Sequence, residues 1–371
     1  MSSFIRTILT TVLALAALAT PVSARTLYVE NNGVDKPLCG SGKAGPCRSI
    51  SRAINNASAG DRIVVGPGVY GDIDRDGAFT TPGDEAAQIG YGCDCLVQVY
   101  RSVTVVSSHG ASATVLSAGA APVGAVVSII ANDAVFGQEG KGFYVGADAF
   151  LGSSFDGSGI RTALNSTGMK IGGNVVQNVS TGLLLRGSAH TVEHNRATGN
   201  TRGFAVAGVN MTLRHNVAMA NEDGIAVSSG GAWLESNAVI GNRTVGIALM
   251  RGKQHHVLSS AVLGNPGGGI QVDAFCPGFS CKNVDAALNQ NDIFGNVGPG
   301  VFGSPDPGNC GIINAKNPSL GTLEARDNYW GRSRGPGPDP GDKVCNQGTA
   351  SSNAASQFSP AELVLDVAPQ R

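Results

Sequence analysis

Charged and aromatic residues are both scarce in this sequence. Asp, Glu, Lys and Arg make up 14% of the 371 residues, and Phe, Trp and Tyr make up 5%. The 26 basic and 27 acidic residues nearly cancel, and no stretch concentrates Lys and Arg, so we expect no nucleic-acid partner. The shortage of aromatic rings also argues against the sugar-stacking subsites of an efficient polysaccharide enzyme.

The sequence also lacks a hydrophobic run long enough to be read as a membrane span. Its best candidate, residues 8–18, follows Arg6 and precedes the small-residue site Val22-Ser23-Ala24, which is the pattern of a secretory signal. We predict that residues 1–24 are a cleaved signal peptide, with an uncleaved anchor as the alternative. After cleavage we expect no membrane span, and a secreted, periplasmic or cell-surface protein.

All eight cysteines lie after the signal region, and none forms a paired C-x-x-C motif of the kind that binds metals. An even number of cysteines in an exported chain predicts disulfide bonds. Short sequence separations favour Cys39–Cys47 and Cys276–Cys281, and Cys310–Cys345 would then tie the C-terminal coil to its tail. The pairing of Cys93 and Cys95 stays open, because a bridge between alternate residues of one strand is strained.

Glycine is abundant, with 53 residues, and it recurs in register with asparagine. Five glycines are spaced by 21 to 23 residues: Gly182, Gly203, Gly224, Gly246 and Gly269. Two asparagine columns have similar spacing: Asn178, Asn200, Asn221, Asn242 and Asn265, and Asn195, Asn216 and Asn237. This period suits a β-solenoid whose coils stack about 4.8 Å apart. Stacked Asn side chains can form amide ladders and tolerate the left-handed backbone of sharp corners.

The residues one and three positions after each of these glycines are apolar, which predicts that they point inward. They are Leu183 and Leu185, Phe204 and Val206, Ile225 and Val227, Ile247 and Leu249, and Ile270 and Val272. The remaining segments of each repeat are rich in Gly, Thr and Ser and strand-like. They therefore favour an all-β parallel β-helix over a leucine-rich repeat of similar period.

An amphipathic helix is predicted near the N-terminus. Residues 46–57 place Ile50, Ala53, Ile54 and Ala57 at helical spacing. A β-helix must cover its exposed first coil, so this helix is expected to cap it.

Two segments resemble one known group of proteins. Residues 39–71, CGSGKAGPCRSISRAINNASAGDRIVVGPGVYG, resemble the opening of right-handed parallel β-helix proteins of the pectin-lyase-like superfamily, and the closing RDNYWG of residues 326–331 resembles the same group. The resemblance covers most of the chain after the signal region and implies a single-stranded right-handed parallel β-helix with coils of roughly 21–23 residues. The expected organisation is a signal at 1–24, a β-helix at 25–331 with its cap at 25–71 and regular coils at 168–300, and a Gly/Pro/Ser-rich tail at 332–371.

The resemblance implies a carbohydrate function, because this superfamily is rich in carbohydrate enzymes. The expected function is binding or processing of an extracellular polysaccharide; the alternative is a non-catalytic structural or surface-interaction β-helix. No N-T-D, D-D, G-H-G or W-x-D-H run of polygalacturonases or pectate lyases is present, so the catalytic residues stay unknown. One charged set lies near strand ends and either lines a groove or belongs to solvated turns: Arg186, Glu222, Asp223, Arg251, Lys253 and Asp273.

A calcium site is predicted in the acidic segment that interrupts the strands. Asp72-x-Asp74-x-Asp76-Gly77 matches the start of an EF-hand-type loop. The twelfth position is Gly83 rather than Glu, and the carboxylates just beyond it could substitute. The predicted ligands are Asp72, Asp74, Asp76, Asp84 and Glu85; the alternative is a solvated acidic turn.

A histidine column is a second candidate metal site. His194 and His215 precede Asn195 and Asn216, and His190 lies nearby. Stacked imidazoles can bind copper or zinc, and β-helix proteins include periplasmic copper-maturation proteins. The alternative is a polar corner stack, because the next residue in the column is a serine.

Overall fold

The computed structural model describes residues 23–74, 76–77, 80–85, 93–119, 123–146, 155–272, 284–298, 308–314, 323–332, 336–337, 341–345 and 350–354. Strands in these ranges form three long sheets, and every strand pair between neighbouring coils is parallel. Each regular coil passes through sheet 1, sheet 2 and sheet 3 in turn. Strands are numbered along the chain.

Sheet 1 has twelve strands: β1 (Thr26–Val29), β2 (Arg62–Val65), β5 (Thr104–Ser107), β8 (Val135–Phe136), β11 (Lys170–Gly172), β14 (Thr191–Glu193), β17 (Thr212–Arg214), β20 (Trp233–Glu235), β23 (His255–Leu258), β26 (Ala286–Asn289), β29 (Leu323–Asn328) and β31 (Ala350–Ala354). Sheet 2 has nine: β3 (Gly68–Gly71), β6 (Thr114–Ser117), β9 (Tyr144–Gly146), β12 (Val175–Gln177), β15 (Arg196–Thr198), β18 (Val217–Met219), β21 (Ala238–Ile240), β24 (Ala261–Leu263) and β27 (Asp292–Phe294). Sheet 3 has ten: β4 (Val97–Val99), β7 (Ala125–Ile129), β10 (Phe155–Thr162), β13 (Val179–Leu185), β16 (Arg202–Val206), β19 (Asp223–Val227), β22 (Ile247–Leu249), β25 (Ile270–Val272), β28 (Cys310–Asn314) and β30 (Lys343–Cys345).

The predicted right-handed parallel β-helix is confirmed, including its inward-facing columns. In sheet 3, Leu183 pairs with Phe204 and Phe204 with Ile225, and all three side chains are at most 1% exposed. Because equivalent residues of successive coils lie in register, each inward apolar side chain packs against the equivalent apolar side chains of the coils above and below. The interior is therefore one continuous hydrophobic core along the helix axis.

Two ladders of buried side chains line the corners on either side of sheet 2. The first contains Asn174, Asn195, Asn216, Asn237, Ser260, Asn291 and Asn328; the second contains Asn200, Asn221, Asn242, Asn265, Asn296 and Asp342. Asn216 shows the pattern: its Oδ1 accepts the backbone and side-chain N–H of Asn195 at 3.0 and 3.1 Å, and its Nδ2 donates to the Val192 carbonyl at 2.8 Å. The ladders thus satisfy the polar backbone of buried corners.

The assignment of Asn178 to an asparagine column was wrong. Asn178 lies outside the second ladder, where the backbone N–H of Val179 donates to Asn200 Oδ1 at 3.1 Å. Asn178 instead has a left-handed backbone, with φ 57°. The left-handed positions are the residues before the ladder members, such as His194 at φ 55° and Ala220 at φ 54°, because the turn is made one residue before the amide enters the interior.

The glycine column marks a close approach between coils. A Cβ built on Gly224 would lie 2.3 Å from the carbonyl oxygen of Gly246 and 2.9 Å from Nδ2 of Asn242. A side chain would therefore collide with the backbone and the second ladder, which explains why glycine recurs where the chain enters sheet 3.

The predicted helix is present as α1 (Ile50–Asn56), following a 3₁₀ turn at Gly42–Ala44. Ser49 caps its N-terminus by accepting the backbone N–H of Arg52 at 3.1 Å. Ile50, Ala53 and Ile54 are fully buried, so the apolar face closes the first coil.

Disulfide bonds join Cys39 to Cys47, Cys93 to Cys95, and Cys310 to Cys345. Cys276 and Cys281 lie outside the described residues, as does the predicted signal peptide up to residue 22. Among the residues described, no helix is long and apolar enough to cross a membrane.

Candidate functional site

A groove of about 640 Å³ lies on the outer face of sheet 1. Its lining includes Trp233, His255, His256, Asp285, Ala287 and Glu324. We call it the sheet 1 groove. Five of these residues come from four successive strands, β20, β23, β26 and β29, and Asp285 immediately precedes β26.

Strand register aligns the groove along the helix axis. Trp233 pairs with His256, His256 with Ala287, and Ala287 with Glu324. Alternate strand residues face the same side of a sheet, so these four side chains form one outward row about 14 Å long at the usual strand spacing. The small side chain of Ala287 leaves room between the rings at one end and the carboxylate at the other.

An aromatic platform forms one end of the groove. The Trp233 and His256 ring centroids are 4.5 Å apart with an interplanar angle of 36°. Trp233 is 38% exposed, and its Nε1 donates to Glu235 Oε2 at 3.2 Å. The hydrogen bond orients the indole while its face stays available to an apolar surface such as a sugar ring.

The rim carries polar side chains and negative charge. Asp285 and Glu324 are exposed, and Glu324 Oε1 accepts a hydrogen bond from Asn289 Nδ2 at 3.0 Å. Asn210 and Gln254 occupy left-handed turn positions, at φ 54° and 62°, between sheets 3 and 1. These turns add amide side chains to the lining of the groove.

The His255 side chain lies beneath the groove, on the inward face of β23. It is fully buried, and its Nε2 contacts the Arg251 carbonyl oxygen at 2.8 Å, so Nε2 carries the proton. Burial lowers the pKa of His255, which favours the neutral ring, whose Nδ1 is an acceptor. Nδ1 makes no hydrogen bond to any described residue and is enclosed within the protein, on the face of β23 opposite to His256 and the outward row.

Three of the five predicted calcium ligands come together. One carboxylate oxygen each of Asp72, Asp74 and Asp84 lies within 4.8 Å of the others. Asp72 and Asp84 are buried and Asp74 is exposed. The hydroxyl of Thr81 donates to Asp74, and this hydrogen bond lowers the pKa of Asp74.

These carboxylates also organise their own loop. Asp72 Oδ2 accepts the backbone N–H of Gly77 at 2.9 Å. Asp84 accepts the backbone N–H groups of Ile73 and Thr81 at 3.0 and 2.9 Å. Oxygen-only ligands of this kind suit a hard cation such as calcium.

The other two predicted ligands are placed differently. The backbone N–H of Asp76 donates to Asp74 Oδ1 at 3.4 Å. Glu85 faces helix α1: it accepts the backbone N–H groups of Ile50 and Ser51 at 2.5 and 2.8 Å and the Ser51 hydroxyl at 2.6 Å. Burial raises the pKa of Glu85 to about 7, against the effect of these hydrogen bonds.

The histidine column divides into two environments. His194 and His215 stack with ring centroids 5.1 Å apart and planes at 16°, and His194 Nε2 is 3.7 Å from Glu139 Oε2. His190 is instead buried; its Nδ1 accepts the backbone N–H of Met169 at 3.2 Å, and burial lowers its pKa. Two of the three histidines are therefore accessible to a metal ion.

The charged set near the ends of the sheet 3 strands does not converge among the residues described. Glu222 and Asp223 lie where the chain enters β19, whereas Arg251 and Lys253 follow β22 at the opposite edge. Asp223 pairs with Arg202, with 3.6 Å between Nε and Oδ2. Asp273 lies outside the described residues.

The sheet 1 groove could not be found from the sequence, because the coils that contribute its outward row differ in length. The ladder contacts along sheet 1 separate residues by 21 positions at Asn216 to Asn237, then by 23, 31 and 37 positions. A fixed period therefore fails to align Trp233 with Ala287 and Glu324. The available signal was the outward position of Trp233 in its own repeat.

Comparisons with known proteins agree with this architecture. The family described as "Periplasmic copper-binding protein (NosD)" matches residues 130–298, whereas no curated protein matches the chain. Pectate lyase Pel9A is similar with a TM-score of 0.53 and 16% identity, over 91% of this chain and 79% of that chain.

Two further structures are similar over a smaller share of their length. The Dettilon tailspike protein has a TM-score of 0.51 and 14% identity, over 76% of this chain and 50% of its own. An alpha-1,3-glucanase from Streptomyces thermodiastaticus has a TM-score of 0.51 and 18% identity, over 85% of this chain and 55% of its own. The chain is therefore a right-handed parallel β-helix with the pectin-lyase-like fold.

Proposed function

We propose that this is an exported glycan-binding protein that holds an oligosaccharide in the sheet 1 groove. The observation that carries the proposal is the exposed Trp233 ring, stacked on His256 and held by Glu235 at one end of an open row. Aromatic faces bind the apolar faces of sugar rings, while surrounding polar groups select their hydroxyls. The groove offers both kinds of contact.

The comparisons add support of a general kind. Two of the similar structures are a pectate lyase and an alpha-1,3-glucanase by name, and the matching family is described as periplasmic. An extracytoplasmic protein with a polysaccharide ligand fits both descriptions. Fold similarity does not define chemistry, so the proposal rests on the groove.

A binding screen tests the proposal. Wild-type protein is titrated by calorimetry with neutral, acidic and basic oligosaccharides, together with Trp233→Ala and the control Tyr28→Ala. Tyr28 is an exposed aromatic residue on the same sheet, in β1, but outside the groove. We expect Trp233→Ala to weaken binding at least tenfold and Tyr28→Ala to leave it unchanged. Equal affinities in all three proteins, or no glycan bound by the wild type, would overturn the proposal and favour a structural role.

A second candidate function is copper binding at His194 and His215. It is favoured by their stacked, accessible rings and by the copper-binding description of the family that matches this region. Imidazole is a suitable ligand for Cu²⁺, and Glu139 lies close enough to His194 to contribute an oxygen. Copper titration should show tight binding that is lost in His215→Ala and retained in the exposed control His109→Ala. Equal binding by both variants would rule out this site.

We also propose that Asp72, Asp74 and Asp84 bind calcium and stabilise the acidic segment. Two buried carboxylates beside a third repel one another, and a divalent cation would remove that repulsion. Calcium should raise the melting temperature of the wild type but not of Asp84→Asn, while Glu222→Gln should respond as the wild type does. No shift at millimolar calcium would exclude the site.

A further inference from the structure

We infer that the sheet 1 groove selects glycans that carry ammonium groups, such as glucosamine oligomers, and rejects uronates. This inference rests on the proposed glycan-binding function and names the ligand class for the same groove. Its basis is the charge and the hydrogen-bonding capacity of the lining.

The charge on the lining is negative. Asp285 and Glu324 are exposed there, and Glu235 holds the indole at the aromatic end. No Lys or Arg contributes to the lining among the residues described. A carboxylate on the sugar would be repelled by these groups, whereas an ammonium would be attracted.

The nearest cations are engaged elsewhere or lie outside the lining. Arg214, on β17 next to Trp233's strand, is paired with Glu193 at 2.6 Å. Arg251 and Lys253 are exposed in the turn that precedes Gln254 and are not part of the lining. Arg326, two residues after Glu324 on the outward face of β29, also lies outside the lining. Among the described Asp, Glu, Lys and Arg residues, the lining therefore contains only the two carboxylates.

The charged hydrogen-bonding groups of the groove are acceptors. Asp285 and Glu324 supply carboxylate oxygens to the lining. An ammonium group has three donors and no acceptor, so it matches this set. A uronate carboxylate has only acceptors, and the lining contains no Lys or Arg among the described residues to donate to it.

The aromatic end favours the same ligand. An ammonium group near the face of an indole gains a cation–π interaction, and Trp233 presents an exposed ring at the end of the row opposite to Glu324. The Ala287 position between them leaves space for the body of a sugar. One glucosamine unit can thus contact the platform while its neighbour reaches Glu324.

The test compares three tetrasaccharides by calorimetry at pH 6 and low salt: glucosamine, its fully N-acetylated form and galacturonate. We expect the glucosamine tetramer to bind at least tenfold more tightly than the N-acetylated form and at least 100-fold more tightly than the galacturonate. The double variant Asp285→Asn/Glu324→Gln should lose this tenfold preference while keeping its affinity for the N-acetylated tetramer. The exposed control Glu222→Gln should keep the preference.

The outcomes separate this inference from the proposed function. If a neutral or acidic glycan binds through Trp233 at least as tightly as glucosamine, the inference is overturned and glycan binding stands. If the double variant keeps the preference for glucosamine, the assignment to these carboxylates is wrong. If no glycan binds, both proposals fall.

Discussion

Asn296 donates both its backbone N–H and its side-chain amide to Oδ2 of Asp342, at 3.1 and 2.8 Å. Asp342 is thus the last member of the second ladder, at a position where each earlier member is an asparagine. It is fully buried, and its Oδ1 makes no hydrogen bond to a described residue. The atom of Asn296 that corresponds to Asp342 Oδ1 is the amide nitrogen Nδ2, which donates to the Val262 carbonyl at 2.9 Å.

The variant Asp342→Asn should stabilise the protein. An amide would continue the ladder pattern and remove a buried negative charge. We expect a gain of about 1–3 kcal/mol at pH 8, measured by chemical denaturation. Equal stability of variant and wild type at pH 8 would contradict this account of the ladder end.

The same residue predicts a pH dependence. Burial raises the pKa of Asp342 from 3.8 to about 6. The folded state therefore binds the proton more tightly than the unfolded state, so the stabilising contribution is complete below pH 3.8 and is lost as the pH rises through about 6. The advantage of Asp342→Asn should accordingly be smaller at pH 4 than at pH 8, as denaturation at both values would show. An advantage independent of pH would exclude this titration as its source.

Glu85 should be important for stability through helix α1. The change Glu85→Ala leaves the backbone N–H groups of Ile50 and Ser51 and the Ser51 hydroxyl without their acceptor. We expect a loss of about 2–4 kcal/mol, read from the denaturation midpoint. The exposed Glu139→Ala serves as the control and should change stability by less than about 0.5 kcal/mol. A neutral effect of Glu85→Ala would mean that these contacts do not hold the cap.

The glycine column predicts a steric effect. Gly224→Ala places a Cβ 2.3 Å from the Gly246 carbonyl oxygen, so neighbouring coils must separate, at a cost of about 1–3 kcal/mol. Gly42→Ala is the matched control, because its Cβ would meet no atom within 4 Å. Thermal melting of both variants checks the prediction; equal melting temperatures would contradict it.

The fold could be predicted from the sequence because its determinants are local and repeated. Apolar residues such as Phe204 and Ile225 recur at a nearly constant spacing and indicate the inward face of each coil. The contact between Glu85 and helix α1 could not be predicted in this way. Its carboxylate contacts Ile50, 35 positions away, and nothing in the acidic segment distinguishes it from its neighbour Asp84.

The candidate site was only partly predictable for a related reason. His194 and His215 were found because they occur in coils of equal length, which separate Asn195 from Asn216 by 21 positions. The row from Trp233 to Glu324 crosses coils of unequal length, so only the strand register brings its residues together. His190 shows the converse: it is close to His194 in sequence, but its ring is buried.

Tryptophan fluorescence tests the central claim most directly. The chain has two tryptophans: Trp330 is fully buried and Trp233 is 38% exposed. Titration with the glucosamine tetramer should therefore change the emission of the wild type in a saturable way, and Trp233→Phe should abolish the change. A saturable signal that persists in Trp233→Phe, or no signal with the wild type, would contradict binding of the glucosamine tetramer in the sheet 1 groove.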